Sequence, residues 1–356
     1  MERLKEIDIL RAGAFIFVVI QHILGGYSRI EGLPASSFTF MKAMYVMAKP
    51  AVPIFLFISG VSLFYAYSRK FNWTSYYLKR VKFVFIPYII WSAINIYKLG
   101  KMEQFNNFIT QLAAGNAAYH LWYMGMVIRL FLIFPLILWL AMKVHRLGCR
   151  IRAIIFAGLI LLYYVVAVNQ GVVTDAAAKF VFGNPNELQI RIISISILFW
   201  YLYFLLGIGL ALNYDYIRSR LLKYRIVIFI SYGFLYLYAY FSEIGIIRAQ
   251  RPLSILYMVL SIAFFYLISV MLIDKKRVYI GMKFIGDYSF AAYMAHVIVL
   301  NYTANKIMLE LNTRNYLFVG VATLIITAVG TPVIIKFLSF LPFSEYLTGT
   351  KRSKII

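Results

Sequence analysis

An all-α polytopic membrane helix bundle, with about 10 transmembrane helices and both termini cytoplasmic, is the fold class this sequence predicts, on three observations. The chain is 63% hydrophobic and 14% charged, against roughly 45–50% apolar and 25% charged in soluble domains. Apolar runs long enough to cross a bilayer recur at about residues 8–26, 44–68, 83–98, 120–142, 152–169, 191–212, 225–241, 252–273, 284–305 and 315–340. The cations are unevenly shared between the connections. Of the 36 Lys and Arg, 22 fall in the N-terminus and the segments 69–82, 143–152, 213–225, 274–283 and 341–356, and 11 in the connections on the opposite side. Basic connections mark the cytoplasmic side, which puts both termini inside. Residues 1–345 then make a single transmembrane domain and 346–356 a short basic cytoplasmic tail. The formal net charge of +23 would point to nucleic acid in a soluble chain; here it sits in inner loops, and no nucleic-acid partner is expected.

The first span carries the most chemistry. It runs Asp8-Ile-Leu-Arg11, through an apolar stretch, to Gln21-His22. Arg11 and His22 are almost three helical turns apart, so they share a face at roughly 16 Å separation and cannot touch. Asp8, one turn before Arg11, is its natural ion partner. An ionisable side chain inside a bilayer faces protein or a water-filled cavity and is read first as a functional site. The competing reading is structural, with Arg11 snorkelling to headgroups and His22 bonding a neighbouring helix. A cleaved signal peptide fits less well, because Arg11, Gln21 and His22 interrupt the apolar region and Leu24-Gly25-Gly26 is a poor cleavage site.

In the second span, Pro50, Pro53 and Ser59-Gly60 are expected to interrupt the helix, either beside a cavity or as a packing kink. The segment 69–82 interleaves Phe71, Trp73, Tyr76 and Tyr77 with Arg69, Lys70, Lys79, Arg80 and Lys82, a mixture suited to a helix in the inner headgroup layer. Lys79, Arg80 and Lys82 also have the charge to hold a phosphate-bearing ligand. The outer connections at about 99–119 and 170–190 have the length of caps or lids, with a turn at Asn184-Pro185-Asn186. His120 and Trp122 open the fourth span, and Arg129, two turns in, is too deep to snorkel easily and is expected to line a cavity. Tyr293 and His296 share a face of the ninth span. His145 lies in an inner basic loop and reads as solvated.

Absences narrow the function. None of the 13 acidic residues lies at the centre of an apolar run, which weakens an ion-coupled transporter. No phosphate-loop motif is present. The histidines lack zinc spacing, the one cysteine, Cys149, makes neither disulfide nor metal site alone, and no bound cofactor or metal is expected. What remains is histidine base chemistry beside anion-binding arginines.

These residues resemble the acyltransferase-3 family of bacterial integral membrane enzymes, and within it proteins of the intercellular adhesion protein C and O-acetyltransferase type. The resemblance covers about residues 5–345. It rests on Arg11 and His22 with ten residues between them after Asp8, Phe55-Leu-Phe-Ile-Ser59-Gly60, Lys79-Arg80-Val-Lys82 leading to Pro87-Tyr88, His120-Leu-Trp122-Tyr123, and Ser289-Phe-x-x-Tyr293-x-x-His296. Many members carry Arg-x-x-Arg in the inner loop, where this chain has Arg80 and Phe83.

The resemblance implies a plasma-membrane O-acyltransferase moving an acetyl or succinyl group from cytosolic acyl-CoA, its co-substrate, to a hydroxyl of a cell-surface or lipid-linked carbohydrate. His22 and Arg11 would be catalytic, with Lys79, Arg80 and Lys82 on the donor. Asp8, His120, Trp122, Arg129, Tyr293 and His296 would support the site or line it. Membrane lipid and the machinery of glycan synthesis or export are the further expected partners. The alternative from another class is a glycan exporter or flippase without chemistry.

Overall fold

The computed structural model describes residues 4–352; residues 353–356 of the expected basic tail lie outside the described residues. All regular structure among them is helical. In chain order the α-helices are α1 (Lys5–Tyr27), α2 (Ala35–Ala48), α3 (Ala51–Tyr67), α4 (Trp73–Arg80), α5 (Ile86–Lys98), α6 (Phe108–Ala113), α7 (Trp122–His145), α8 (Cys149–Val168) and α9 (Gln170–Phe182). They continue as α10 (Glu187–Ser194), α11 (Tyr201–Leu212), α12 (Tyr214–Lys223), α13 (Arg225–Glu243), α14 (Arg251–Leu272), α15 (Lys276–Glu310), α16 (Tyr316–Leu338) and α17 (Glu345–Thr348).

Seven helices among the described residues, counting Ala35–Tyr67 as one, are long and apolar enough to cross a membrane. The other expected spans have physical reasons to fall outside that group. Only 13 residues of the third form α-helix, after a π-helical stretch at Val81–Phe85. The sixth holds the 12-residue α11, and α15 runs 35 residues but carries Asp287, Tyr288, Tyr293 and His296 within its apolar part. In the second span the break falls at Pro50 alone. Proline has no N–H to continue the ladder, so α2 ends and α3 restarts at Ala51. Pro53 lies in the first turn of α3, where the missing donor is tolerated. Ser59-Gly60 stays helical.

The chain divides into two compact units. The first holds residues 1–58, 215–344 and 350–356. Its centre is α1, which packs on α15, α2, α16 and α14. Small residues let these backbones approach, as membrane helices require when lipid supplies no hydrophobic drive. A Cβ on Gly286 would lie 2.8 Å from the Asp8 carbonyl oxygen, and one on Gly320 2.9 Å from Leu24. α2 is tied to α13 by Lys42 and Lys49, which hold Glu243 at 3.3 and 2.5 Å, and by Tyr236, whose hydroxyl donates to the Ala43 carbonyl.

The second unit holds residues 59–214 and 345–349. At Gly60 the backbone of α3 lies against the Phe204 carbonyl of α11, with no room for a side chain. Pro135 inside α7 leaves the Phe131 carbonyl without its helical N–H. The Tyr76 hydroxyl of α4 donates to that carbonyl at 2.8 Å, and the Tyr77 hydroxyl to Leu132 at 2.9 Å. α17 packs on α5, where the Trp91 indole donates to the Leu347 carbonyl. The connections expected at about 99–119 and 170–190 are largely helical: they hold α6, α9 and the start of α10, the last opened by an Asn186–Gln189 capping box directly after the expected turn.

Candidate active site

In the first unit, residues of α1 and α15 converge along one shared seam. Tyr279, Gly286, Tyr293 and Leu300 recur every seven residues on α15, a period that keeps one face toward a neighbouring helix. Gly286 brings this face down onto α1 at Asp8 and Ala12. At one end of the seam the Arg11 guanidinium lies 3.9 Å from the Asp8 carboxylate, which also accepts from the Tyr279 hydroxyl at 3.4 Å. Asp8 is buried while Arg11 keeps part of its surface accessible. The arginine is therefore held by a carboxylate while part of its surface stays accessible.

At the other end, the imidazoles of His22 and His296 stack with centroids 5.2 Å apart and planes 30° from parallel. His296 is fully buried, whereas His22 is partly exposed. The His296 Nδ1 lies 2.6 Å from the Tyr293 carbonyl. A carbonyl only accepts, so Nδ1 carries the proton and Nε2 is the acceptor of the neutral ring. Phe15 meets the same ring edge-on at 6.3 Å, and Tyr293 packs beside it with Phe55 behind. The accessible imidazole thus rests against a buried one whose tautomer and orientation are fixed. A stacked pair of this kind, one ring half-buried and the other fixed in orientation, has the chemistry to move a proton.

The remaining predicted residues belong to the second unit. Among the described residues Arg129 makes no ion pair with a carboxylate; its guanidinium donates to the Ile192 carbonyl at 2.7 Å and to that of Ala113, while Arg191 donates to Ala114 at 3.2 Å. These carbonyls lie at the C-terminal ends of α10 and α6, where unsatisfied oxygens and the helix dipole favour a cation. Arg129 therefore clamps α6 and α10 together. Trp122 packs against Trp200 at 5.2 Å, and His120 is buried beside Tyr119.

Lys79, Arg80 and Lys82 are divided by helix rotation. Lys79 and Lys82 line an open cleft of about 410 Å³ with Thr74 and Ser75, and Lys82 pairs with Glu345 at 3.0 Å. Arg80 faces another way. Its guanidinium lies 5.0–5.8 Å from the rings of Phe131, Tyr76 and Tyr67, and it donates to the Tyr67 hydroxyl at 3.3 Å. Cation–π contacts of this kind stabilise a guanidinium by about 0.5–2 kcal/mol each.

Tyr279, Phe15 and Gly286 are the site residues that sequence reasoning missed. The signal that could have found them is the seven-residue spacing on α15; Phe15, one turn from Arg11 on an apolar helix, had none.

No curated protein and no solved structure matches the chain. The family model described as an acyltransferase domain, that of the acyltransferase-3 family, matches residues 4–332. That is most of the sequence, and it takes in both ends of the α1–α15 seam and the second unit's cation-bearing helices. The chain belongs to the acyltransferase-3 family and is a membrane acyltransferase.

Proposed function

We propose that the chain moves an acetyl or succinyl group from cytosolic acyl-CoA to a hydroxyl of a cell-surface or lipid-linked carbohydrate in a bacterial plasma membrane. The observation that carries this reading is the half-buried His22 stacked on the buried His296, on the same face of α1 as the Arg11–Asp8 pair and almost three turns along it. His22 takes the proton from the acceptor hydroxyl. The hydroxyl oxygen attacks the thioester carbonyl carbon, the carbon–sulfur bond breaks, and the CoA thiolate leaves and collects the proton from His22. Arg11 orients the acyl donor, with Asp8 holding the fork in place. The experiment that tests it is replacement of His22 by glutamine, developed in the Discussion.

The phosphates of the donor are assigned to the Lys79–Lys82 cleft, because it combines two ammonium groups with the hydroxyls of Thr74 and Ser75. Lys79→Ala combined with Lys82→Gln is expected to raise the Michaelis constant for acyl-CoA about tenfold, the loss of one or two charge-assisted hydrogen bonds. Steady-state kinetics with each substrate varied in turn makes the check. A change confined to the acceptor constant would remove the donor from this cleft.

The cytosolic side follows from the basic connections. Cys149 opens α8 and is exposed, so an impermeant thiol reagent is expected to label it only after cells are opened. Labelling in intact cells would invert the orientation and put the donor on the wrong side.

A further inference from the structure

Two lysines and one glutamate lie together at the His22 end of the first unit. Lys42 and Lys49, on α2 and directly after it, are seven residues apart and share a face. Both ammonium groups meet the Glu243 carboxylate at the end of α13, at 3.3 and 2.5 Å. Among the described residues neither lysine pairs with a second carboxylate. The neighbouring sequence offers none: residues 32–52 and 226–252 hold the cations Lys42, Lys49, Arg248 and Arg251 against Glu243 alone. The triad therefore carries one positive charge in excess. It is largely withdrawn from solvent, with the side chains of Lys42, Glu243 and Lys49 exposed by 13%, 21% and 28%. Excess charge in such a place is costly without a partner. The Tyr45 ring, 5.9 Å from Lys42 and 5.5 Å from Lys49, attracts the cations but does not neutralise them.

Two contacts set this charge at the level of the proposed base. Tyr45 lies on Gly25, about one turn past His22, so closely that no side chain fits there. Gln21, the neighbour of His22 in α1, donates from Nε2 to the Ala48 carbonyl at 2.6 Å, and Ala48 adjoins Lys49. An ion pair that merely ties α2 to α13 is complete with one lysine. The second is surplus to that purpose, and it stands where an acceptor approaching His22 would pass.

We infer that Lys42 and Lys49 bind an anionic group, a phosphate or a carboxylate, carried by the acceptor near the hydroxyl it presents to His22. Ammonium groups hold such oxygens through charge-assisted hydrogen bonds. The inference rests on the carbohydrate reading proposed above and narrows it: the acceptor is an anionic carbohydrate, and Glu243 keeps the two lysines together.

Isothermal titration calorimetry of the purified full chain in detergent, without acyl-CoA, tests it. The titrants are a neutral oligosaccharide and the same oligosaccharide carrying either a phosphate monoester or a carboxylate. Wild type is expected to bind an anionic form about tenfold tighter than the neutral one, the worth of one charge-assisted contact. Preference for the phosphate form assigns a phosphorylated or lipid-linked acceptor, and preference for the carboxylate form an acidic sugar. Lys49→Gln is expected to erase the preference. Glu243→Gln, which releases both ammonium groups, is expected to widen it. That opposite sign separates binding from a clamp, which would have both variants lower the melting temperature and leave the preference alone. Lys42→Gln repeats the loss and keeps the test decisive should the Lys49 variant misfold. No preference in wild type, or one that survives in both lysine variants, would overturn the inference while leaving the carbohydrate reading in place. Binding of none of the three oligosaccharides would overturn both.

Discussion

His22→Gln is expected to lower turnover by about 10²–10⁴-fold, the range for loss of a general acid or base, while the protein stays folded and still binds acyl-CoA. Glutamine keeps a polar side chain of similar reach but accepts no proton at neutral pH. Because glutamine is of similar size and His22 is half-buried against His296, the substitution leaves little empty volume. Arg11→Lys supplies the companion measurement. It preserves charge but removes the planar fork that meets both Asp8 and a donor oxygen, so turnover falls although the ion pair persists. If His22→Gln were well expressed and nearly as active as wild type, the histidine would be packing glue and the base would have to be sought elsewhere.

Gly286→Val carries the second large effect. The added Cβ alone would sit 2.8 Å from the Asp8 carbonyl, and a backbone oxygen cannot rotate away as a side chain can. The two helices must separate. Overpacking of this kind costs about 1–3 kcal/mol, and more where the backbone has to move. Gly286 lies between the two functional ends of the seam, so separation pulls Tyr279 from Asp8 and His296 from His22 together. The expected result is a lowered melting temperature with turnover reduced well beyond the loss of folded protein, and a milder version of both in Gly286→Ala. Wild-type melting and wild-type turnover in Gly286→Val would show that the close approach of α1 and α15 does not organise the site.

The helical class and the polar stripe of α1 were legible because both are periodic and local. Apolar runs mark helices by composition, and Asp8, Arg11 and His22 share a face by the pitch of the helix alone. What meets that stripe was not legible. The pairing of His22 with His296 joins positions 274 residues apart in the sequence, and only the packing of α15 on α1 supplies it. Adjacency in sequence also hides which way side chains face. Lys79, Arg80 and Lys82 look like one cationic cluster in a linear reading, but a helix turns about 100° per residue, and the trio splits between a polar cleft and an apolar groove. The partners of Arg129 were not legible either: they are carbonyls at the ends of two short helices. Short helices in outer connections leave little sequence trace, and their C-terminal oxygens leave none. Gly60 looked like a helix breaker for a related reason, since glycine is equally the mark of a break and of a close helix contact.

The central claim is that this bundle performs acyl transfer at His22, and one measurement reaches it most directly. Purified protein in detergent is incubated with acetyl- or succinyl-CoA, with and without oligosaccharide, and free thiol is followed over time for wild type and His22→Gln. The account predicts thiol release from wild type that the oligosaccharide stimulates, with acylated oligosaccharide in matching amount by mass spectrometry, and neither in the variant. Translocation of glycan across sealed vesicles by both proteins, with no thiol released by either, would contradict it and make the chain a carrier of glycans.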